Sequence, residues 1–259
     1  MDVSLMEASS SFSVLPACTV VIPMAGAGSR FAKVGYTKPK PFIEVLGQPM
    51  ICHVLENLKL PNAHYVLIAR EAHLQAEAET VAWIKARYPV TFLTVNDLTE
   101  GAACTVLFAH KHMPPEAPLL IANSDQLVDI PIADYLHDCH TRHLDGSILT
   151  FHDTDPKWSY AALDTQGYVT HVREKEVISN EATVGIYYFT KARTFIESAL
   201  DMFVRNDRVN GEFYVCPAYN YAINSGAKIG VYPIAQEAMH GIGTPEDLQA
   251  YLDHRAERP

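Results

Sequence analysis

Apolar positions follow two rhythms along this chain. In the first half, short continuous runs alternate with stretches of helical spacing. "CTVVIPM", "HYVLIA", "VTFLTV" and "PLLIAN" read as buried strands. Between them, "PMICHVLENL" reads as a helix with Pro near its first turn. "EAHLQAEAETVAWIKARY" reads as one long helix in which Leu74, Ala78, Val81 and Ile84 keep helical spacing. "GAACTVLFAHKH" and "IADYLHDCHTRH" are two further helices. Strands joined by helices of this length pair in parallel through right-handed crossovers.

From residue 146 the rhythm changes. "GSILTFHDT", "YAALDT", "YVTHV" and "ATVGIYYF" are strands joined by turns rich in Asp and Gly, followed by the helix "KARTFIESALDMFV". "GEFYVCPAYNYAINSG" ends in a helix closed by Gly226, and "KIGVYPI" is a last strand. "TPEDLQAYLDHRA" opens a final helix with Thr244 as N-cap and Pro245 at its first position. The pattern predicts an α/β fold: a Rossmann-like three-layer α/β/α arrangement with a mixed, mainly parallel central sheet and an antiparallel extension. Residues 18–259 form one expected domain with halves 18–145 and 146–259, and residues 1–17 a frayed, Ser-rich leader.

Composition narrows the function classes. A chain of 259 residues, 48% hydrophobic, can bury one large core. No run approaches the roughly 20 apolar residues of a membrane span, and the leader lacks the basic start of a secretory signal. The five cysteines are scattered without a C-x-x-C pair, which suits a reducing cytoplasm. A formal net charge of −10 argues against general nucleic-acid binding. Polyanions are still accessible to a chain whose few cations converge. "IPMAGAGSRFAKVGYTKPKPF" concentrates Arg30, Lys33, Lys38 and Lys40 in one loop after the first strand.

Glycine lets backbone N–H groups turn toward a phosphate. "GAGSR" is neither the dinucleotide fingerprint, which needs a third glycine, nor a Walker A loop, which needs G-K-[ST]. Read alone, it is equally an ordinary tight turn. Arg30 can grip phosphate in a bidentate fork, and Lys40 stands on a backbone stiffened by Pro39 and Pro41. Ligands of parallel sheets gather at the carboxyl ends of strands, which brings this loop and "NSDQ" to one edge. The loop reads as a polyphosphate site.

"MAGAGSRF…TKPKPF" resembles the G-x-G-[ST]-R…P-K-P entry of the sugar-phosphate nucleotidyltransferases (NDP-sugar pyrophosphorylases) with a GT-A-like fold. "TEGAACTVLFA", "LLIANSDQ", "WSYAALDTQGYVTHVREKEVISNEATVGIYYF" and "GIGTPEDL" are similar to four further motifs of that family, in order. The resemblance implies transfer of NMP from an NTP to a sugar 1-phosphate, with Mg²⁺ as cofactor. It implies that Arg30, Lys40 and the metal-binding Asp125 act in catalysis. It assigns nucleotide contacts to Ala25, Gly26, Ala27, Gly28, Ser29, Gly101, Ala102 and Ser124. Acceptor contacts fall to Tyr160, Glu174, Lys175, Gly185 and Glu212. A cytoplasmic enzyme is implied that feeds capsule or other surface polysaccharide assembly, with homo-oligomers possible.

Two departures bear on substrate and metal. Many members carry a second metal-binding Asp where this chain has Gly241, and Glu212 is the nearest acidic replacement by motif. Ala161 and Glu176 stand where the acceptor motifs have Gly and Pro. These leave open a cytidylyltransferase for a non-sugar phosphate, a glycosyltransferase, or a silent sugar-nucleotide-binding module. The nucleobase is open too.

Overall fold

The computed structural model describes residues 15–256. The expected leader falls mostly on residues 1–14, outside them. Leu15, within the expected leader, packs against the core. In the first half the strands are β1 (Thr19–Pro23), β2 (Glu44–Val45), β3 (Gln48–Pro49), β4 (His64–Arg70), β5 (Val90–Val95), β6 (Leu119–Ala122) and β7 (Gln126–Val128). The second half adds β8 (Gly146–His152), β9 (Ser159–Leu163), β10 (Val169–Glu174), β11 (Glu181–Phe189), β12 (Ile229–Ile234) and β13 (Met239–Gly241). The helices are α1 (Ser29–Lys33), α2 (Met50–Asn57), α3 (Glu71–Ala76), α4 (Ala78–Lys85), α5 (Ala102–Leu107), α6 (Ile132–Thr141), α7 (Ala192–Val204), α8 (Ala218–Asn224) and α9 (Pro245–Ala256).

Nine strands form the main sheet, along the order β10-β9-β11-β6-β1-β4-β5, with β8 pairing both β11 and β12. The pairs β6/β1, β1/β4, β4/β5 and β8/β12 are parallel. Strand β11 runs antiparallel to β6, β8 and β9, and β10 antiparallel to β9. The mixed sheet with its antiparallel side is therefore as the rhythm predicts. Neighbouring side chains of the central strands serve opposite faces. Val20 and Ile22 enter one core with residues of α2 and α6, while Val21 enters the other with residues of α5, α7 and α8. A strand covered on both faces reads as a continuous apolar run, the signal "CTVVIPM" carries. Among the described residues, no helix is long and apolar enough to cross a membrane.

Three local differences from expectation matter. The helix expected over "EAHLQAEAETVAWIKARY" is two, broken at Glu77 (φ −115°, ψ 32°). Val81 and Ile84 of the second helix are buried in the core, and Leu74 of the first packs against the same cluster only partly buried. The three-residue strands β7 and β13 are too short to register as a pattern, yet they pair antiparallel and bring Gly241 opposite Gln126. The Asn57 side chain of α2 fixes β7 by bonding both the N–H (2.9 Å) and the carbonyl (2.7 Å) of Val128. Finally, β11 changes register between Thr183 and Tyr187. Gly185 lies in that irregularity at φ +91°, a conformation costly for residues with a Cβ.

Candidate active site

At the carboxyl ends of β1 and β6 lies a cleft with two lobes. The smaller, about 260 Å³, is bordered by Gly26, Gly28, Lys40 and Ser124. The larger, about 530 Å³, extends over β9, β10 and β11 and includes Arg30, Ser159, Glu174, Lys175 and Gly185. Asn123, Asp125 and Gln126 line both. The loop after the first strand and "NSDQ" thus share one edge, as the position of ligand sites in parallel sheets requires.

The smaller lobe is built by a close fit of loop on loop. Gly28 is left-handed (φ +62°), and a Cβ there would stand 3.3 Å from the Cβ of Lys40. Lys40 opens a single 3₁₀ turn, Lys40–Phe42, anchored by the buried Phe42. Its Nζ lies 2.5 Å from Oδ2 of Asp125, with both side chains mostly buried. The ammonium thereby offsets the charge of a carboxylate largely removed from water. Gly26, Ala27, Ser29 and Arg30 are exposed, and no salt bridge holds Arg30 among the described residues. Of the other loop cations, Lys38 is drawn toward Glu77 at 3.9 Å, away from the lobe.

In the larger lobe, strand parity decides which side chains face the cleft. Ser159 lines it, so its neighbour Tyr160 points the other way. Tyr160, expected at the acceptor, is fully buried and its hydroxyl donates to the Asp155 carbonyl at 2.7 Å, away from the residues that line the lobe. Ser159 Oγ instead donates to Oε2 of Glu174. Burial pushes the Glu174 carboxyl above its usual range. The Ser159 hydroxyl and Lys175 pull it back down, and Glu212 pushes it up again. Beneath it lie the phenol of Tyr187 and the thiol of Cys216, each pushed far up by burial and secondarily by neighbouring acidic groups. Cys216 therefore stays protonated and is no nucleophile. Lys175, at φ +57°, places its Nζ 4.7 Å from the ring centroid of Tyr214 and donates to the phenol oxygen at 2.7 Å.

Three more expectations need correction. Gly101 does not line the cleft: a Cβ there would come within 2.4 Å of the Phe213 carbonyl oxygen. The glycine is demanded by chain packed on chain, with only Ala102 reaching the larger lobe. Ala25 is buried in the core under the loop. Glu212 is exposed, pairs its backbone with Val209, and affects the cleft only through its charge on Glu174. Gly185 does line the cleft, and a Cβ there would reach 2.2 Å from Nδ2 of Asn123.

Residues to which the sequence reading gave no site role also reach the cleft: Asn123, Gln126, Trp158, Tyr214 and Asp247. "DTDPKW" held a signal for one of them. The Asp153 carboxylate accepts the N–H groups of Thr154 (2.6 Å) and Asp155 (2.8 Å) and the indole N–H of Trp158 (3.1 Å), which mounts that ring at the cleft edge.

The Asp125 carboxylate of this edge is the kind of oxygen donor that a hard divalent cation takes. Gly243 leaves a cradle beside Asp125, where a Cβ would stand 2.2 Å from Oδ2. Among the described residues, no group of three or more His, Cys, Asp or Glu could hold a metal alone. An ion here would draw much of its shell from ligand phosphates and water, as Mg²⁺ commonly does.

Known proteins share this architecture. A bifunctional protein GlmU of Thermodesulfovibrio yellowstonii is 24% identical over 249 residues, covering 92% of this chain and 52% of the relative. A mannose-1-phosphate guanyltransferase of Debaryomyces hansenii is 26% identical over 175 residues, covering 64% of this chain and 48% of the relative. The chain thus spans about half the length of the curated relatives it matches. A nucleoside-diphosphate-sugar pyrophosphorylase from Vibrio cholerae RC9 has a similar structure, with TM-score 0.75 and 25% identity over 90% of this chain and 99% of that one. Residues 19–212, which include both lobes' loops from Gly26 to Gly185, match the nucleotidyl transferase family, and the chain belongs to it.

Proposed function

We propose that this protein transfers a nucleotidyl group from an NTP to a phosphorylated sugar and releases pyrophosphate. The observation that carries the reading is the Lys40–Asp125 pair at the junction of the two lobes. It stands between a glycine turn suited to polyphosphate and a lobe furnished with Glu174 and Lys175.

In the proposed reaction an oxygen of the acceptor phosphate attacks the α-phosphorus. The bond from that phosphorus to the bridging oxygen of the β-phosphate breaks, and its electron pair leaves with pyrophosphate. A phosphate monoester dianion is already a nucleophile, so no general base is needed. Catalysis then rests on alignment and on charge placed where negative charge grows. Backbone N–H groups near Gly26 and Gly28, with Arg30, hold the departing phosphates. Lys40 exchanges its contact with Asp125 for the phosphate oxygens between which the reaction occurs. Lys175 binds the acceptor phosphate, and Glu174 accepts a hydroxyl of the acceptor. Mg²⁺, held by Asp125, would neutralise phosphate charge and polarise the reacting phosphorus.

The sugar class of the acceptor is supported by the names of the relatives, and an activated sugar is the kind of donor that polysaccharide assembly consumes. Incubating the protein with each NTP, Mg²⁺ and a panel of sugar 1-phosphates, and measuring pyrophosphate, tests the reading. Release with one pairing supports it. Release only with a non-sugar phosphate would move the acceptor class, and no release with any NTP and acceptor would overturn the activity. Calorimetric titration of Lys175→Ala tests the division of the cleft. The variant should bind the acceptor roughly ten- to hundredfold more weakly, with NTP affinity kept.

A further inference from the structure

Resting on the reading that an NTP and a divalent ion share this cleft, we infer that Asp247 is the second carboxylate holding that ion, in the part that Gly241 has no side chain to play. Three contacts carry the inference. The Ile242 N–H donates to the Asp125 carbonyl at 2.9 Å, which fixes residues 241–243 against the end of β6. Gly243 faces the Asp125 carboxylate directly. On Gly241, the nearest atoms to an added Cβ would be Cγ and Oδ2 of Asp247, each at 3.8 Å. A side chain at 241 would thus project toward the carboxylate that Asp247 already supplies. Gly241 and Gly243 are two residues apart, about 7 Å along an extended chain. Asp125 and Asp247 both line the larger lobe.

The fold has a reason to deliver Asp247 to this point. Thr244 caps α9, its Oγ1 accepting the Asp247 N–H at 3.0 Å, and this sets the first turn of the helix against the cleft. The cap uses only the backbone of Asp247, so the carboxylate is available to a ligand. A Mg²⁺ ion bound by one or two carboxylates, with phosphate oxygens and water completing its shell, matches that supply. An acidic residue in a first helical turn also complements the helix dipole. That role needs the charge but not the neighbourhood of Gly241, so the two can be separated.

The test counts bound Mn²⁺ by electron paramagnetic resonance, using the full chain and a non-hydrolysable NTP analogue. Asp247→Asn keeps the backbone donor to Thr244 and removes the charge. It should weaken Mn²⁺ binding roughly ten- to hundredfold. Adding Gly241→Asp should restore most of the affinity, since that position has room for a Cβ. Equal Mn²⁺ binding by Asp247→Asn and parent would overturn the inference while leaving the proposed reaction intact. A loss that Gly241→Asp does not repair would assign Asp247 to the helix alone and overturn it as well. A parent that binds the analogue but no Mn²⁺ would overturn this inference, and a parent that binds no analogue would overturn the proposed reaction with it.

Discussion

Gly243 and Asp125 meet so closely that a single methyl group on the glycine would stand 2.2 Å from the carboxylate oxygen Oδ2. The same oxygen receives Lys40. One Cβ would therefore disturb a charged pair, not just a turn. Gly243→Ala should lower the rate of pyrophosphate release roughly ten- to hundredfold, because charge misplaced by an ångström forfeits much of its effect in the transition state. Far-ultraviolet circular dichroism should stay that of the parent. Unchanged kcat would show that Asp125 need not sit where it does.

Lys40 and Asp125 should behave as a coupled pair in stability. Both are mostly withdrawn from water, so losing one partner strands the other's charge. Lys40→Met and Asp125→Asn should each destabilise, and the double variant should cost less than their sum by about 1–3 kcal/mol. Urea denaturation of the four proteins checks this; additive effects would mean that the pair is solvated in solution. Lys40→Met and Arg30→Ala should also lower kcat by roughly a hundredfold, with a smaller change in KM.

Glu174 should cost stability at neutral pH. Its folded carboxyl titrates above the ordinary carboxylate range, chiefly through burial. The unfolded chain therefore releases this proton first as pH rises. The group's stabilising contribution is full below the unfolded pKa and is lost as pH climbs through the raised folded one. Glu174→Gln keeps an acceptor for the Ser159 hydroxyl without the charge. Its melting temperature should exceed the parent's at pH 7, and the gap should shrink toward pH 4. Acceptor binding should weaken in the same variant. A gap that does not vary with pH would mean the carboxyl is ordinary.

Two glycines that look alike in sequence should separate by experiment. Gly101→Ala must accommodate a Cβ 2.4 Å from the Phe213 carbonyl at φ +129°. It should destabilise the fold by at least about 2 kcal/mol. Gly26→Ala meets nothing within 4 Å, so its melting temperature should match the parent's, with any defect confined to NTP affinity. Calorimetry and NTP titration of both variants decide the matter.

Much of the scaffold was legible because its causes are local. Val20 and Val21 are buried on opposite faces, and such a strand has to be apolar throughout. Thr244 before Pro245 marks a helix start, and the hydroxyl does cap it. The misread positions turn on relations between distant segments. Nothing near Gly101 announces that Phe213 will press on it. Tyr160 shows the cost of a one-residue error in a strand, because its neighbour Ser159 owns the face that the motif suggested. The break at Glu77 is a change of backbone dihedrals at one residue, which helical propensity does not sense. Asp247 belongs to the helix start that Thr244 and Pro245 announce, and its approach to Gly241 is seen only in three dimensions.

The pairing of β7 with β13 carries a consequence for the order of events at the ribosome. The loop with Asp125 is made before the strand that braces it and before the Ile242 N–H that bonds the Asp125 carbonyl. Domains generally fold as units. A nascent chain stopped before Met239 therefore lacks one wall of its cleft, whatever else of the sheet it has formed. Such a chain should expose its glycine loop and Lys40 without the contacts that hold Asp125 in place. Competence would then arrive only once β13 has paired with β7.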